Sequence, residues 1–154
     1  MPADAADEPA VDANPPAEVT VRPATARDHL GVMRVLDGAN LELGADTAER
    51  RIAGGTVVVA DVDNRVVGAL VAVPRERGAH VEAVAVRRRR RAQGIGSALI
   101  AHAASEWRPL TAAFDRSVEP FYESLGFDCE RRGDRYRGVL GETREPDERF
   151  EAAE

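Results

Sequence analysis

The sequence predicts an α/β protein of the α+β, three-layer kind, with a mixed, mostly antiparallel sheet of six to seven strands flanked by about four helices. Three observations support this fold class. Short β-branched runs separated by turn residues follow one another between positions 56 and 86, as in antiparallel strands. Segments with helical spacing of apolar residues lie before and after this region. One of these helices joins the fourth strand to the fifth, so those two strands should run parallel.

The first half of the chain contains two predicted helices between a first strand and a three-stranded meander. A strand is expected at 19–22. Thr25 is a candidate helix N-cap, and Asp28, three residues later, forms a partial capping box with it. Leu30, Met33 and Leu36, together with Val32 and Val35, form the apolar stripe of the first helix, which ends near Gly38. The remaining predicted elements of this half are a weaker helix at 47–52 and strands at 56–60, 65–73 and 79–86.

The second half is predicted to supply the parallel strand, one more helix and a closing hairpin. The predicted elements are a helix from 95 to 107, a strand at 110–114, a helix at 119–125, and strands at 127–130 and 135–140. Residues 1–17 are acidic and proline-rich, and residues 142–154 are acidic, so both are expected to be disordered tails around a domain at 18–141.

Composition argues against several classes of function. The formal net charge of -6 argues against general nucleic-acid binding, despite five consecutive arginines at 87–91. The single cysteine, Cys129, excludes an internal disulfide, and the three histidines lack ligand spacing, so no metal is expected. Without a membrane-spanning run or a secretion signal, the expected location is the cytoplasm, with no membrane partner.

The turn after the strand at 81–86 is the strongest candidate for a binding site. It carries the arginine run and then Gly94 and Gly96, where a helix begins. A helix start leaves several backbone N–H groups unpaired, and these groups with the positive end of the helix dipole favour phosphate. A Rossmann site would require a third glycine where Leu99 stands, and a P-loop would require a lysine, which this chain lacks. A purely structural tight turn is the remaining alternative.

Two motifs resemble the GNAT N-acetyltransferase family. Arg91, Gly94 and Gly96 fit its acetyl-CoA signature, Arg/Gln-x-x-Gly-x-Gly/Ala, and residues 121–127 resemble its second hallmark, an aromatic pair closed by Gly-Phe. The resemblance covers roughly residues 19–140. It implies an acyl-CoA N-acyltransferase-like fold that uses acetyl-CoA as donor without a metal. The residues then expected to bind the donor are Ala85, Val86, Arg91, Gln93, Gly94, Ile95, Gly96, Ser97, Asp115, Ser117 and Tyr122.

The resemblance also suggests three chemical roles. Glu82, the carboxylate inside the fourth strand, would be the base that accepts the amine proton; it is expected to face alongside Val84 and Val86. The alternative for Glu82 is a solvated or arginine-paired glutamate. The N–H of Val86 would hold the oxyanion, because the family's strand bulges there. Tyr122 would donate a proton to the departing thiolate, and its alternative is a core aromatic.

Two features depart from the family pattern. Asp115 stands where many members carry an asparagine that bonds the pantetheine arm; an aspartate can accept from that arm but cannot donate, and Ser117 is the substitute. Five arginines are also more than the motif requires. Arg89–Arg91 are candidates for CoA phosphate contacts, whereas Arg87 and Arg88 fit a solvated surface.

The leading hypothesis is therefore an N-acetyltransferase that transfers acetyl from acetyl-CoA to a primary amine by direct attack in a ternary complex. The alternative is a catalytically inactive acyl-CoA-binding regulatory module, and an arginine-rich nucleic-acid binder is a third class that the acidic total disfavours. The acceptor, a small-molecule or peptide amine, is not specified by the sequence, although Glu42, Asp46 and Glu49 could attract a cation. A homodimer is left open.

Overall fold

The protein folds around one seven-stranded sheet. The structure is a computed structural model that describes residues 16–39 and 41–141. The strands are β1 (Thr20–Pro23), β2 (Val57–Val62), β3 (Arg65–Pro74), β4 (Ala79–Val86), β5 (Leu110–Phe114), β6 (Asp128–Arg132) and β7 (Arg135–Leu140). The helices are α1 (His29–Gly38), α2 (Ala45–Ala53), α3 (Ile95–Glu106) and α4 (Glu119–Ser124). These elements confirm the predicted fold class.

The strand order is β1-β2-β3-β4-β5-β7-β6. All neighbouring strands are antiparallel except β4 and β5, which run parallel as α3 connects them. That parallel pairing is short: Ala79–Val81 pair with Leu110–Ala112, and no further residues are in register. Beyond these pairs the two strands diverge toward the carboxyl end of β4.

Each face of the sheet carries its own apolar core. On one face α1 and α2 cover β3 and β4 through buried residues that include Val32, Leu36 and Ile52. On the other face α3 contributes Leu99 and α4 contributes Tyr122 to a larger core. The arrangement is therefore helix, sheet, helix, the three layers expected from the sequence.

Gly68 lets α3 lie close to the sheet. A Cβ at this position of β3 would come within 3.1 Å of Ile95 Cγ2 and 3.3 Å of Leu99 Cδ1. Both distances are tighter than most Cβ contacts, so a larger residue would require these two side chains to shift by a few tenths of an ångström. This glycine therefore allows the side chains of the first turns of α3 to pack closely on β3.

Some element bounds differ from the prediction. Helix α2 is longer at both ends than 47–52, and Leu30 of the predicted stripe is 60% exposed while Val32, Val35 and Leu36 are buried. The face of α1 that packs on the sheet is formed by Val32, Val35 and Leu36, and Leu30 lies outside that face. The tails predicted as disordered lie outside the described residues, apart from positions 16 and 17.

Candidate functional site

A cavity of about 730 Å³ opens where β4 and β5 diverge. Its walls come from β4, the arginine turn, the first turn of α3, and α4, and Ala39 and Leu41 also line it. Nine of the predicted site residues line it: Glu82, Ala85, Val86, Arg91, Gly94, Ile95, Gly96, Ser97 and Tyr122. The residues that the motifs singled out along the sequence are therefore brought together around one space.

The divergence of the strands leaves backbone donors pointing into this cavity. Arg87 N–H donates to the Val67 carbonyl on β3 at 2.8 Å. Along an antiparallel strand successive N–H groups point to opposite sides, so the Val86 N–H points away from β3, toward the gap. The same alternation directs the Val84 N–H into the gap. Both are available to a substrate oxygen because β5 does not pair with this part of β4.

The β4 bulge lies at Glu82, and the expectation of a bulge at Val86 was wrong. Val71 and Ala72 of β3 are consecutive, but their partners on β4 are Ala83 and Val81, so Glu82 is the extra residue. The Val86 N–H is freed by the separation of β4 from β5 instead. Sequence cannot locate a bulge, because the extra residue is defined only by the register of the partner strand.

The bulge also changes the direction in which Glu82 points. Val81 belongs to the core beneath α3, whereas Ala83 and Ala85 belong to the core beneath α1 and α2. Glu82 faces α2, where Arg51 Nε donates to its Oε1 at 3.1 Å. The predicted orientation alongside Val84 and Val86 was therefore wrong, because simple alternation fails across an inserted residue.

The turn before α3 presents unpaired amides. Gly94 is the residue before the helix, with φ of +85°, and no side chain caps the helix. Ala98 N–H makes the first bond back, to the Gly94 carbonyl at 3.0 Å. Within the described residues, the N–H groups of Ile95, Gly96 and Ser97 have no protein acceptor, as expected for a first turn. These donors and the helix dipole favour an anion at this point.

Two arginines of the run take part in holding the turn. Arg91 Nε donates to the Val86 carbonyl at 3.0 Å, which ties the turn to the end of β4. Arg90 Nη1 lies 2.9 Å from Glu18 Oε2, near the start of the described chain. Both arginines line the cavity, whereas Arg87–Arg89 are exposed and border other surface grooves.

Tyr122 lies in an aromatic cluster at the inner wall of the cavity. Its ring stacks on Phe114 with centroids 4.2 Å apart and meets Phe121 and Phe127 edge-on. The side chain is 6% exposed, and burial raises its pKa to about 12. Its hydroxyl bonds no protein group in the part of the chain that the structure describes, although a buried hydroxyl usually has a partner.

Three predicted donor-binding residues lie outside the cavity lining: Gln93, Asp115 and Ser117. Asp115 Oδ2 accepts from the Ser117 hydroxyl at 2.8 Å and from the Ser117 N–H at 3.2 Å. These hydrogen bonds hold the pKa of Asp115 below its ordinary value. The two side chains satisfy each other in a local turn before α4, so neither is free in this conformation for the contact expected from the asparagine. Glu42, Asp46 and Glu49 are also exposed and outside the lining.

Sequence reasoning missed the apolar wall of the site. Val81, Val84, Ala113 and Phe121 line the cavity, and Val118, 40% exposed, stands at its mouth. Their signal, alternation along a strand, is the same as that of ordinary core residues. Only the divergence of β4 and β5 distinguishes them, and no local sequence pattern encodes it.

His80 is a polar residue that no sequence motif singled out. It lies next to the point of divergence, with Nδ1 2.7 Å from the Thr111 hydroxyl oxygen on β5. Burial, and then the charges of Arg75 and Arg137, lower its pKa, against a smaller effect of Glu82. The ring is therefore neutral near pH 7. No group of three or more metal-ligating side chains occurs among residues 16–39 and 41–141.

The family is shown by comparison with known proteins. The model of the acetyltransferase (GNAT) domain matches residues 53–129. The chain belongs to the GNAT acetyltransferase family. No curated protein matches the sequence. In the part of the chain that the structure describes, no helix is long and apolar enough to cross a membrane.

Solved structures share the fold across most of the chain. Ard1 from Thermoplasma volcanium is similar with a TM-score of 0.69 and 21% identity, over 82% of this chain and 100% of that one. A GNAT-family acetyltransferase from Bacillus cereus gives 0.68 and 17%, over 82% and 99%. Diaminobutyrate acetyltransferase EctA from Paenibacillus lautus, in complex with L-2,4-diaminobutyric acid and coenzyme A, gives 0.61 and 20%, over 80% and 95%.

Proposed function

We propose that this protein is an N-acetyltransferase that transfers the acetyl group of acetyl-CoA to a primary amine by direct attack in a ternary complex. One observation carries the proposal. A single cavity joins the uncapped start of α3 to the free N–H groups of β4 and reaches Glu82. Unpaired amides that could hold a phosphate, a backbone donor that could hold an oxyanion and a carboxylate are thus associated with one cavity, and acetyl-CoA and an amine would need all three.

The donor would bind through its diphosphate and its pantetheine arm. The N–H groups of Ile95, Gly96 and Ser97 would hold the diphosphate, and Arg90 and Arg91 would add positive charge beside it. The arm would lie in the gap between β4 and β5, where strand N–H groups have no protein partner. Asp115 and Ser117 would contribute only after their mutual hydrogen bonds rearrange.

The reaction needs one bond formed and one broken. The amine nitrogen attacks the acetyl carbon with its lone pair, the carbonyl oxygen becomes negative, and the C–S bond then breaks with its electrons on sulfur. Glu82 would accept the proton that the nitrogen loses, directly or through a water. The Val86 N–H would donate to the oxyanion.

Tyr122 would stabilise the departing thiolate by a hydrogen bond. With a pKa of about 12, its hydroxyl stays protonated at neutral pH. A thiol has a pKa of about 8.5, so a thiolate is too weak a base to remove that proton completely. We therefore assign Tyr122 the role of a donor that shares its proton with sulfur, in place of complete proton transfer.

Direct attack, without an acyl-enzyme, is supported by the position of Cys129. Its thiol lies on β6, outside the cavity lining, and burial followed by nearby carboxylates raises its pKa. A thiol held protonated in this way is a poor nucleophile.

We predict that Cys129→Ser leaves kcat within about twofold of wild type, because the residue does not touch the reacting atoms. Intact-mass measurement after incubation with acetyl-CoA provides the check. Since the chain contains no lysine, a stable acetyl adduct could reside on Cys129 or the terminal amine with little background. An adduct on Cys129 that an amine discharges would contradict direct attack.

The acceptor class is an amine that can reach Glu82 from the side of α1 and α2. The Paenibacillus relative acts on a small diamine acid, and it has the same fold at 20% identity. We propose a small-molecule or peptide amine of this general kind, without choosing among them, since residues 39 and 41 at the acceptor end are apolar and unspecific.

Calorimetry with acetyl-CoA, followed by an amine panel, tests the proposal. Binding with micromolar or better affinity and transfer to at least one amine are expected. Glu82→Gln should lower kcat by about 100-fold while leaving acetyl-CoA affinity unchanged, because a general base typically contributes that much. Binding without transfer to any amine would favour an inactive acyl-CoA-binding regulatory module, and absence of binding would overturn both functions.

A further inference from the structure

The ion pair between Arg51 and Glu82 links the helix that walls the acceptor side to the strand that carries the chemistry. Arg51 lies in the last turn of α2, and its Nε donates to Glu82 Oε1 at 3.1 Å. The two side chains are 24% and 30% exposed, so each is partly sheltered. The pair is an interaction between α2 and β4 at the rim of the cavity that Glu82 lines.

This pair exists because of the bulge. If β4 continued with regular alternation, Glu82 would lie on the side opposite Ala83, toward α3. The inserted residue places Glu82 on the same side as Ala83, toward α2. Bulges that redirect a side chain are over-represented beside active sites, and here the redirected side chain meets an arginine.

The two oxygens of Glu82 have different surroundings. Oε1 accepts from Arg51, whereas Oε2 accepts no hydrogen bond from a protein group within residues 16–39 and 41–141. We propose that Arg51 is a positioning residue: it fixes the Glu82 carboxylate by Oε1 so that Oε2 is presented to the acceptor amine. This inference rests on the proposed function, because it assigns Oε2 the proton that the attacking nitrogen loses.

The effect of the arginine is to select one rotamer. A glutamate has three staggered positions about each of its first two side-chain torsions, and only a few of them bring an oxygen to a given point. Without Arg51 the carboxylate spreads over the others, and the fraction of enzyme with a correctly placed base falls. The expected loss is in kcat, roughly three- to tenfold, with the KM for acetyl-CoA unchanged.

Arg50 provides a matched control. It precedes Arg51 on the same helix, is exposed, and bonds the Thr47 hydroxyl at 3.3 Å, away from Glu82. Arg50→Gln removes the same charge from the same helix as Arg51→Gln. A change in kcat seen only with Arg51→Gln therefore cannot come from net charge or from helix propensity.

The deciding experiment is a kinetic double-mutant cycle on the full chain. We expect Arg51→Gln to lower kcat three- to tenfold, Arg51→Lys to restore part of it, and Arg50→Gln to match wild type. In the Glu82→Gln background, Arg51→Gln should cause no further loss, because a residue that acts only through Glu82 has nothing left to position. Thermal melting verifies that each variant is folded.

The outcomes separate this inference from the proposed function. If Glu82→Gln is impaired and Arg51→Gln equals wild type, the positioning role is overturned while the acetyltransferase stands. If Arg51→Gln causes the same loss with and without Glu82, Arg51 acts independently and the inference fails. If acetyl-CoA binds but Glu82→Gln has full activity, the base assignment and the positioning role fail together, whereas the acetyltransferase itself remains.

Discussion

Ala92 is held in a conformation that suits glycine. Its φ is +65°, in the left-handed region, and it lies in the turn between the arginine run and α3. An L-residue there is strained by roughly 1–2 kcal/mol. Ala92 lies two residues before Gly94, in the turn that leads to the donors of the proposed diphosphate site.

We predict that Ala92→Gly raises the free energy of unfolding by about 0.5–1 kcal/mol, because relief of the strain outweighs the extra chain entropy of glycine. Denaturant unfolding measures the change. Ala101→Gly, inside α3, is the matched control and should lower stability by about 1 kcal/mol, as glycine does in a helix interior. Destabilisation at position 92 would contradict the assigned backbone conformation.

Tyr122 makes the folding stability depend on pH in the alkaline range. Its folded pKa of about 12 exceeds the ordinary value of 10.0, because burial disfavours the phenolate. A group whose folded pKa is raised contributes stability that is complete below its unfolded pKa. That contribution is lost as pH rises from about 10 toward 12.

We predict that the wild-type free energy of unfolding falls more steeply between pH 10 and 12 than that of Tyr122→Phe, which has no phenol to ionise at this position. Denaturant unfolding across this range measures both slopes. Tyr136→Phe is the comparison, since Tyr136 is partly exposed on β7. Equal slopes for wild type and Tyr122→Phe would show that Tyr122 ionises in the fold as readily as in water.

At the scale of elements, β1, β2 and the start of α1 are joined by one charge cluster. Arg22 donates to both oxygens of Asp28, at 2.8 and 3.0 Å, and to Asp61 at 2.6 Å. Asp28 and Asp61 are 4% and 7% exposed. The guanidinium holds the pKa of Asp28 below its ordinary value, and Asp28 also accepts the Thr25 N–H at 2.7 Å.

We predict that Arg22→Met costs about 3 kcal/mol of unfolding free energy at pH 7, because two buried carboxylates lose their counter-charge. Arg27→Met, which removes an arginine without an ion pair in the described residues, should stay within about 0.5 kcal/mol of wild type. Because the folded pKa of Asp28 is lowered, its contribution to stability is complete above the pKa of the unfolded chain and is lost as pH falls toward the folded pKa. Wild type should therefore lose stability below about pH 4, and Arg22→Met should lose less. Unfolding at pH 7 and pH 3 measures all three proteins.

Local sequence patterns predicted well which segments form helices and strands. They predicted less well which side chains of those segments face the core. Runs of β-branched residues identified β2, β3 and β4, and Pro120 with Gly126 bracketed α4, because these signals act within a few residues. The exposure of Leu30 and the direction of Glu82 were not predictable in this way. The first depends on which face of α1 packs against the sheet, and the second on which β3 residues pair with β4.

The candidate site follows the same division. Gly94, Gly96 and Tyr122 were predicted because their motifs are local. The free N–H groups of Val84 and Val86, and the apolar wall with Ala113, result from the divergence of β4 and β5, which only tertiary structure determines. Asp115 and Ser117 were expected at the donor site, but the structure shows their side chains bonded to each other.

For the whole molecule, the short pairing of β4 with β5 divides the sheet into two parts, β1–β4 and β5–β7. We predict that the amides of Val84 and Val86 exchange with solvent deuterium faster than those of Ala83 and Ala85, whose N–H groups point to β3. Acetyl-CoA should slow Val84 and Val86 by tenfold or more, with Ala85 as the internal control. Slow exchange of both valines without ligand would contradict the open gap.

The two outermost strands have a consequence for assembly. Strand β1 has four residues and ends in Pro23, and four of the five residues of β6 are charged: Asp128, Glu130, Arg131 and Arg132. Short, proline-ended or highly charged borders are how natural sheets discourage strand addition and aggregation. A dimer of this protein would therefore use a helical face or a loop surface. Extension of the sheet by a strand from a second copy is disfavoured at both edge strands.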